Sequence, residues 1–268
     1  MNDVLVSVVI TTKNRKDLLL RAINSVRNQT YKEIEIIVVD DASTDGTKEI
    51  CENMDDLVYV YIPLNESKGG NYARNLGIKT ANGEYIAFLD DDDYWEVSKI
   101  QKQTLLLEDS SVGVVYCGMR REIINKDNSI TYSDKCCDLF YEGDVSKKIL
   151  TKIFTTTSAI MVRKDLLVQV GFFDENLRFW QEYELSIRLA QITNFKILNE
   201  CLLIYRINKK DKQRLTNKLF KWFESVKYIY RKHKLLYNRL SLKEHFLYYK
   251  LILKEIIARI KNSLISNL

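Results

Sequence analysis

Residues 4–10 are apolar except at Ser7, the pattern of a strand buried on both faces of a parallel sheet. Residues 15–28 then carry Leu18, Leu19, Ala22, Ile23 and Val26 at helical spacing. Asn14 is placed to cap this helix, and Asp17 lies in its first turn, where a negative charge meets the positive helix end. The alternation continues with a strand over 34–39, a helix over 47–54, a strand over 57–62, a helix over 70–80 and a strand over 85–89. Such β-α repetition predicts a doubly wound α/β sheet, mixed but mainly parallel, flanked by helices.

The middle of the chain mixes strands over 112–117, 158–162 and 196–205 with a helix over 181–192, whose Leu185, Leu189 and Ile192 share one face. From Lys212 the pattern is purely helical. Leu215, Leu219, Trp222, Val226 and Ile229 form one stripe; Leu242, Phe246, Tyr249, Leu253, Ile256 and Ile260 form a second. Ser241 and Glu244 make a capping box that starts the second helix. The expected architecture is an α/β domain over 1–208 and a C-terminal helical hairpin over 209–268.

Charge follows the same division. The 268 residues have a net charge of +5. Residues 209–268 hold 16 basic and four acidic side chains, a balance of +12, which leaves −7 on residues 1–208. The basic tail can pack on the domain, lie against an anionic membrane leaflet, or pair two copies in a homodimer; packing is the plain expectation. Nucleic acid has only the charge in its favour. No apolar run is long enough to span a bilayer, and the first residues lack the pattern of a secretion signal. Five cysteines without CxxC spacing suit reduced thiols, so the expected location is cytoplasmic, or peripheral at the inner face of the cell membrane.

Doubly wound sheets bind ligands beyond the carboxyl ends of their strands. Here those ends read Thr11-Thr12-Lys13-Asn14, Asp40-Asp41-Ala42-Ser43, and Asp90-Asp91-Asp92-Asp93. Two acidic clusters on one sheet edge repel unless a cation or hydrogen-bond donors offset them. The 90–93 run can hold a hard divalent cation that neutralises a diphosphate, or be a solvated turn before a helix near Trp95. Asp41 can accept from a base N–H or a sugar hydroxyl, or form a turn with Ser43. Arg74 and Asn75 can reach phosphate or ribose, or lie on a solvated helix face.

Together, SVVITTKNR (7–15), VVDDASTDGT (38–47), NYARNLGI (71–78), GEYIAFLDDDDYW (83–95) and GFFDENLRFWQEYELSIRLA (171–190) resemble the inverting glycosyltransferases of family 2, which have the GT-A fold. The resemblance covers roughly the first 205 residues and implies a metal-dependent transferase. Thr11 and Asp41 would hold the nucleotide base, and Arg74 would flank the nucleotide pocket. Asp90 or Asp91 would meet ribose and sugar, and Asp92 would bind Mn²⁺ or Mg²⁺. The implied donor is a nucleotide sugar, UDP-linked above all. The implied acceptor is a hydroxyl of a glycan or lipid-linked glycan in bacterial surface polysaccharide synthesis.

In the family the general base is the Asp of a Glu-Asp pair at a helix start. The aligned pair here is Gln181-Glu182, which makes Glu182 the catalytic candidate. The positive helix end would favour its ionised form. Glu184 is the fallback, with an ion pair to Arg188 as its plainer role. Asn208 stands where many members carry a metal-binding His. His233 and His245, both in the tail, read as ordinary helix residues. Two rival readings are a non-catalytic nucleotide-sugar-binding protein and a sugar nucleotidyltransferase. The second lacks its usual Gly-rich start after Ile10. A dehydrogenase lacks GxGxxG after the first strand.

Overall fold

The computed structural model describes residues 4–154, 156–210 and 219–266. Among the described residues nine strands form one sheet. They are β1 (Val6–Thr12), β2 (Ile34–Asp41), β3 (Val58–Ile62), β4 (Tyr85–Asp90), β5 (Tyr94–Trp95), β6 (Val112–Ile124), β7 (Ile130–Lys135), β8 (Ile160–Arg163) and β9 (Asn194–Asn208). Their order is β3-β2-β1-β4-β8-β6-β9-β5, with β7 beside β6. The first four strands are parallel. After β3 the chain returns to the other side of β1 to add β4, so the order reverses between β1 and β4. That reversal opens a crevice at their carboxyl ends.

Helices cover both faces. On one side lie α1 (Lys16–Arg27) and α4 (Lys99–Leu107), on the other α3 (Gly70–Thr80) and α6 (Gln181–Leu189). Val8 and Ile10 join the first layer and Val9 the second, as strand alternation requires. Both faces are therefore apolar, which explains the uninterrupted runs. At Gly77 a Cβ would stand 2.4 Å from Val9 Cγ1, so only glycine lets α3 lie this close to β1. Short helices α2 (Thr47–Cys51) and α5 (Lys164–Val170) complete the domain.

Four local features differ from the expectations or alternatives above. Asn14 does not cap α1: its side-chain oxygen accepts from Thr44 N, and Asp45 accepts from Lys16 N at the helix start instead. The turn after β2 is held by Asp40, which accepts from Ser43 N, and not by Asp41. The 90–93 run does not lead straight into a helix. Asp91 and Asp93 are buried, and the chain forms β5 before α4 begins at Lys99. The strand expected over 112–117 continues to Ile124 as β6, and its far half pairs with β7.

The tail comprises α7 (Leu219–Lys232), α8 (Lys234–Tyr237) and α9 (Leu242–Ser266). Trp222, Val226 and Ile229 of the first stripe enter the core of the α/β domain, whereas Leu215 lies outside the described residues. The capping box forms: Ser241 N donates to Glu244 Oε2 at 2.7 Å and Glu244 N to Ser241 Oγ at 3.3 Å. The second stripe departs from the expectation of packing. Leu242, Phe246, Tyr249, Leu253 and Ile260 are exposed; of the stripe Ile256 packs on the core, and α9 rests on it otherwise through Tyr248, Ile252 and Arg259. Among the described residues no helix is long and apolar enough to cross a membrane.

Candidate active site

The crevice between β1 and β4 gathers three polar strand ends. Thr11 is half-buried and in register with Val39 of β2 and Asp90 of β4. Its neighbour Thr12 donates to Asp91 Oδ2 at 2.8 Å, and Arg15 Nη1 donates to Asp91 Oδ1 and Asp92 Oδ2, both at 3.1 Å. Arg21 donates to the Asp92 carbonyl at 2.7 Å. Arg74, on buried α3, donates to Asp90 Oδ1 at 2.5 Å. These guanidinium groups offset the repulsion in the acidic run. Thr12 and Arg15 escaped the sequence reading, although TTKNR sets both just past a strand end.

Burial divides the four carboxylates into two kinds. Asp93 is enclosed, with the Arg206 backbone N–H donating to Oδ1 at 3.1 Å. Burial and the neighbouring acids push its carboxyl well above the usual range. Asp91 is pushed up to about 6, mainly by burial, against the pull of Arg15 and Thr12. Asp90 and Asp92 keep about a third of their side-chain surface open. They are open enough to meet a ligand, whereas the buried Asp91 and Asp93 anchor the turn.

Asp41 ends β2 as a buried carboxylate. Lys13 Nζ stands 3.5 Å from Oδ2, and Oδ1 has no hydrogen-bond partner among the described residues. A buried acceptor left open in this way has a cost that a bound N–H donor would remove. Asn75 has a different role from the one expected: it accepts from Phe173 N and donates to the Phe173 carbonyl and to Glu175. Asn71 donates to the carbonyls of Asp174 and Leu177. The two asparagines clamp the loop leading to α6, so α3 serves both the crevice and that loop.

Trp180 ends this loop with φ 60°, left-handed and unusual for a bulky residue. Its ring packs edge-on to Tyr183 and to Trp222 of α7, both at 5.3 Å. No sequence signal marks this backbone; tertiary packing holds it. Glu182 follows in the first turn of α6, partly exposed and within range of the charges of Arg74 and Asp90. The fold thus brings a residue from position 182 to the acidic crevice. The helix end was expected to favour ionisation. The backbone and Arg74 do pull that way, but loss of solvent around the carboxyl outweighs them and its pKa is raised.

Glu184 is fully buried. It accepts from Arg188 Nη2 at 2.7 Å, lies 2.9 Å from Lys232 Nζ, and shares a 2.9 Å hydrogen bond with His233 Nε2. His233 is accordingly no ordinary helix residue: it is buried between α7 and α8 and ties the tail to α6. His245 lies half-buried on α9. Burial raises the Glu184 carboxyl, but its donors prevail and hold it down at about 2. The unfolded chain binds this proton more readily, so the stability it contributes is full above the ordinary carboxylate pKa near 4.5. That stability is lost as pH falls from there towards 2. Glu184→Gln, which leaves buried cations uncompensated, is expected to cost about 3 kcal/mol in urea unfolding at neutral pH. The variant should also show a flatter acid limb of stability.

Asn208 accepts from Lys210 N at 2.9 Å, closing the turn after β9. Among the described residues no group of three or more His, Cys, Asp or Glu is arranged to hold a metal ion. The part-exposed carboxylates at the end of β4, Asp90 and Asp92, offer hard oxygen donors. Such a sparse set fits a cation of the Mg²⁺ or Mn²⁺ kind, which takes one or two carboxylates and completes its shell with phosphate and water.

The sheet order, the helix layers and the crevice define a GT-A glycosyltransferase fold. Two solved structures share it. S. aureus TarS in complex with UDP matches with a TM-score of 0.67 at 18% identity, over 92% of this chain and 70% of that one. The mannosyltransferase PcManGT from Pyrobaculum calidifontis, in complex with GDP-Man and Mn²⁺, matches with a TM-score of 0.67 at 16% identity, over 100% of this chain and 74% of that one. The family model "Glycosyl transferase family 2" matches residues 7–170, and the chain belongs to that family. The UDP-Glc:alpha-D-GlcNAc-diphosphoundecaprenol beta-1,3-glucosyltransferase WfaP of Escherichia coli is 43% identical over 127 residues, 47% of this chain and 49% of that protein. The GalNAc(5)-diNAcBac-PP-undecaprenol beta-1,3-glucosyltransferase of Campylobacter jejuni is 31% identical over 209 residues, 76% of this chain and 65% of that protein. The chain therefore spans about half to two thirds of the length of these relatives.

Proposed function

We propose that this chain moves a sugar, with inversion, from a UDP-sugar to a hydroxyl of a lipid-linked glycan in the assembly of a bacterial surface polysaccharide. The observation that carries the reading is Asp90, which ends β4 beside Thr11 at the sheet's switch point and lies within charge range of Glu182; Asp41 at the end of β2 and Asp92 just past β4 supply the neighbouring carboxylates. The UDP complex of TarS and the diphosphoundecaprenol acceptors in the names of the two relatives support the substrate classes. Such an acceptor would place the enzyme at the cytoplasmic face of a membrane. Residues 1–208 would catalyse and residues 209–268 would localise.

In this reading Thr11 lines the base pocket and Asp41 Oδ1 accepts a ring N–H of uracil. Arg74 holds Asp90 towards ribose, and Asp91 fixes Arg15 and the turn beneath the sugar. Asp92 would hold Mn²⁺ or Mg²⁺, which when bound neutralises the charge of the diphosphate. Glu182 takes the proton of the acceptor hydroxyl. The hydroxyl oxygen forms its bond to the anomeric carbon as the bond from that carbon to the diphosphate breaks on the opposite side. UDP leaves with the electron pair, and the configuration inverts.

The test is a donor screen with Mn²⁺ and undecaprenyl-diphosphate-linked sugars, scoring nucleoside diphosphate release and glycan product. Release of UDP with product supports the reading. Binding of every donor without turnover, or pyrophosphate release from a nucleoside triphosphate, would replace it. Asp41→Ala is expected to weaken UDP binding about 10–100-fold in calorimetry, the worth of a hydrogen bond to a charged group. It should leave the fold intact, because the substitution gives up only the long 3.5 Å contact of Oδ2 with the exposed Lys13, while Oδ1 has no hydrogen bond among the described residues.

A further inference from the structure

Helix α9 is amphipathic in an unusual sense, because two different faces are apolar. The inner one, Tyr248, Ile252 and Ile256 with Arg259, is spaced four, four and three and rests on the domain. Tyr248 packs 4.9 Å from the Tyr237 ring, and the Arg259 guanidinium lies 4.9 Å over Trp222. The outer one, Leu242, Phe246, Tyr249, Leu253, Ile257 and Ile260, is spaced four, three, four, four and three, and every member is 45–91% exposed. At about 100° per residue these six lie within roughly 80° of arc. Among the described residues nothing covers them.

The charges of α9 are not scattered around this stripe. Lys243, Lys250, Lys254 and Lys261 are all exposed and fall within roughly 40° of arc, directly along one border of the stripe. Glu244 and Glu255 lie on the opposite side of the helix and are partly buried. An apolar band edged by a single row of lysines matches a bilayer surface. The band enters the boundary between headgroups and acyl chains, and the ammonium groups meet anionic phosphates. Phe246 and Tyr249 within the band suit that boundary. A second copy fits less well, because antiparallel two-fold pairing of the stripe sets each lysine row against its twin.

We infer that the outward face of α9 docks on an anionic lipid leaflet, with the helix lying in the plane of the membrane. The contact is read from α9 alone; its use, bringing the crevice to a lipid-linked acceptor, rests on the function proposed above. Full-length protein should sediment with phosphatidylcholine vesicles that contain phosphatidylglycerol, and much less with phosphatidylcholine alone. Lys250→Gln with Lys254→Gln should lower that affinity about 30-fold at low salt, since each lysine contributes about fivefold. Leu253→Asp should lower it at low and high salt alike. All three residues are exposed, so the variants should keep the wild-type circular dichroism. Binding unchanged in these variants, or no preference for the anionic lipid, would overturn the inference. So would a wild-type dimer in light scattering that Leu253→Asp dissociates, which would give the face to a second copy. UDP release with a water-soluble acceptor, measured on the same proteins, separates the two readings. Intact release with lost vesicle binding concerns α9 only, whereas intact vesicle binding with no release on any acceptor defeats the proposed function and spares the lipid contact.

Discussion

Glu182→Gln should lower sugar transfer by about 10²–10⁴-fold, the usual contribution of a general base, while UDP-sugar affinity stays within about twofold of wild type. Glutamine keeps the volume and the polarity but takes no proton. The residue beside it, Gln181, takes none either, and Glu184 is enclosed by Arg188, Lys232 and His233 with its pKa near 2. A carboxylate held that low and that deep is a poor base and cannot substitute. Burial raises the Glu182 pKa instead, which makes its carboxylate more basic and places the acid limb of the kcat profile above that of an ordinary carboxylate. Activity should therefore fall as pH drops through that raised value, and the limb should vanish from the residual activity of Glu182→Gln. Glu182→Asp should retain more activity than Gln. A Gln variant that transfers at near the wild-type rate, with the acid limb in place, would assign the base elsewhere.

Asp92→Asn should abolish the Mn²⁺-dependent part of donor binding, a loss of about 10–100-fold or more, since even groups that only orient metal ligands contribute that much. The side chain is part-exposed and sits at a turn, so the substitution should not unfold the protein. Asp92 also accepts from Arg15, whose second contact to Asp91 remains in the variant. Calorimetry of UDP-sugar with and without Mn²⁺ separates the two roles. A lost metal ligand removes the difference between the titrations, whereas a merely disturbed Arg15 lowers both. Equal Mn²⁺ enhancement in wild type and variant would remove Asp92 from the metal site.

The hydrophobic pattern alone determined the β-α alternation and the strand ends that border the crevice, because period-two and period-3.6 burial are local properties. The motifs around Thr11, Asp41, Arg74, Asp90–Asp93 and Glu182 were legible for the same reason: each lies within a few residues of an element boundary. The capping box at Ser241 and Glu244 is likewise a matter of three residues. What decided the site is not local. Which of four consecutive aspartates faces solvent depends on Thr12, Arg15 and Arg206 arriving from other strands and helices. Asn75 looks like a ligand residue until the loop at Phe173 folds against it. Glu184 and His233 lie 49 positions apart and form one buried network that no spacing announces. The stripe on α9 shows the limit most plainly. A four-three repeat declares an apolar face, but a helix can also bury an adjacent face, and only the packing of Tyr248 on Tyr237 and of Arg259 on Trp222 turned the strongest stripe outward. Periodicity measures which residues could leave water; the shape of the surface they meet decides which of them do.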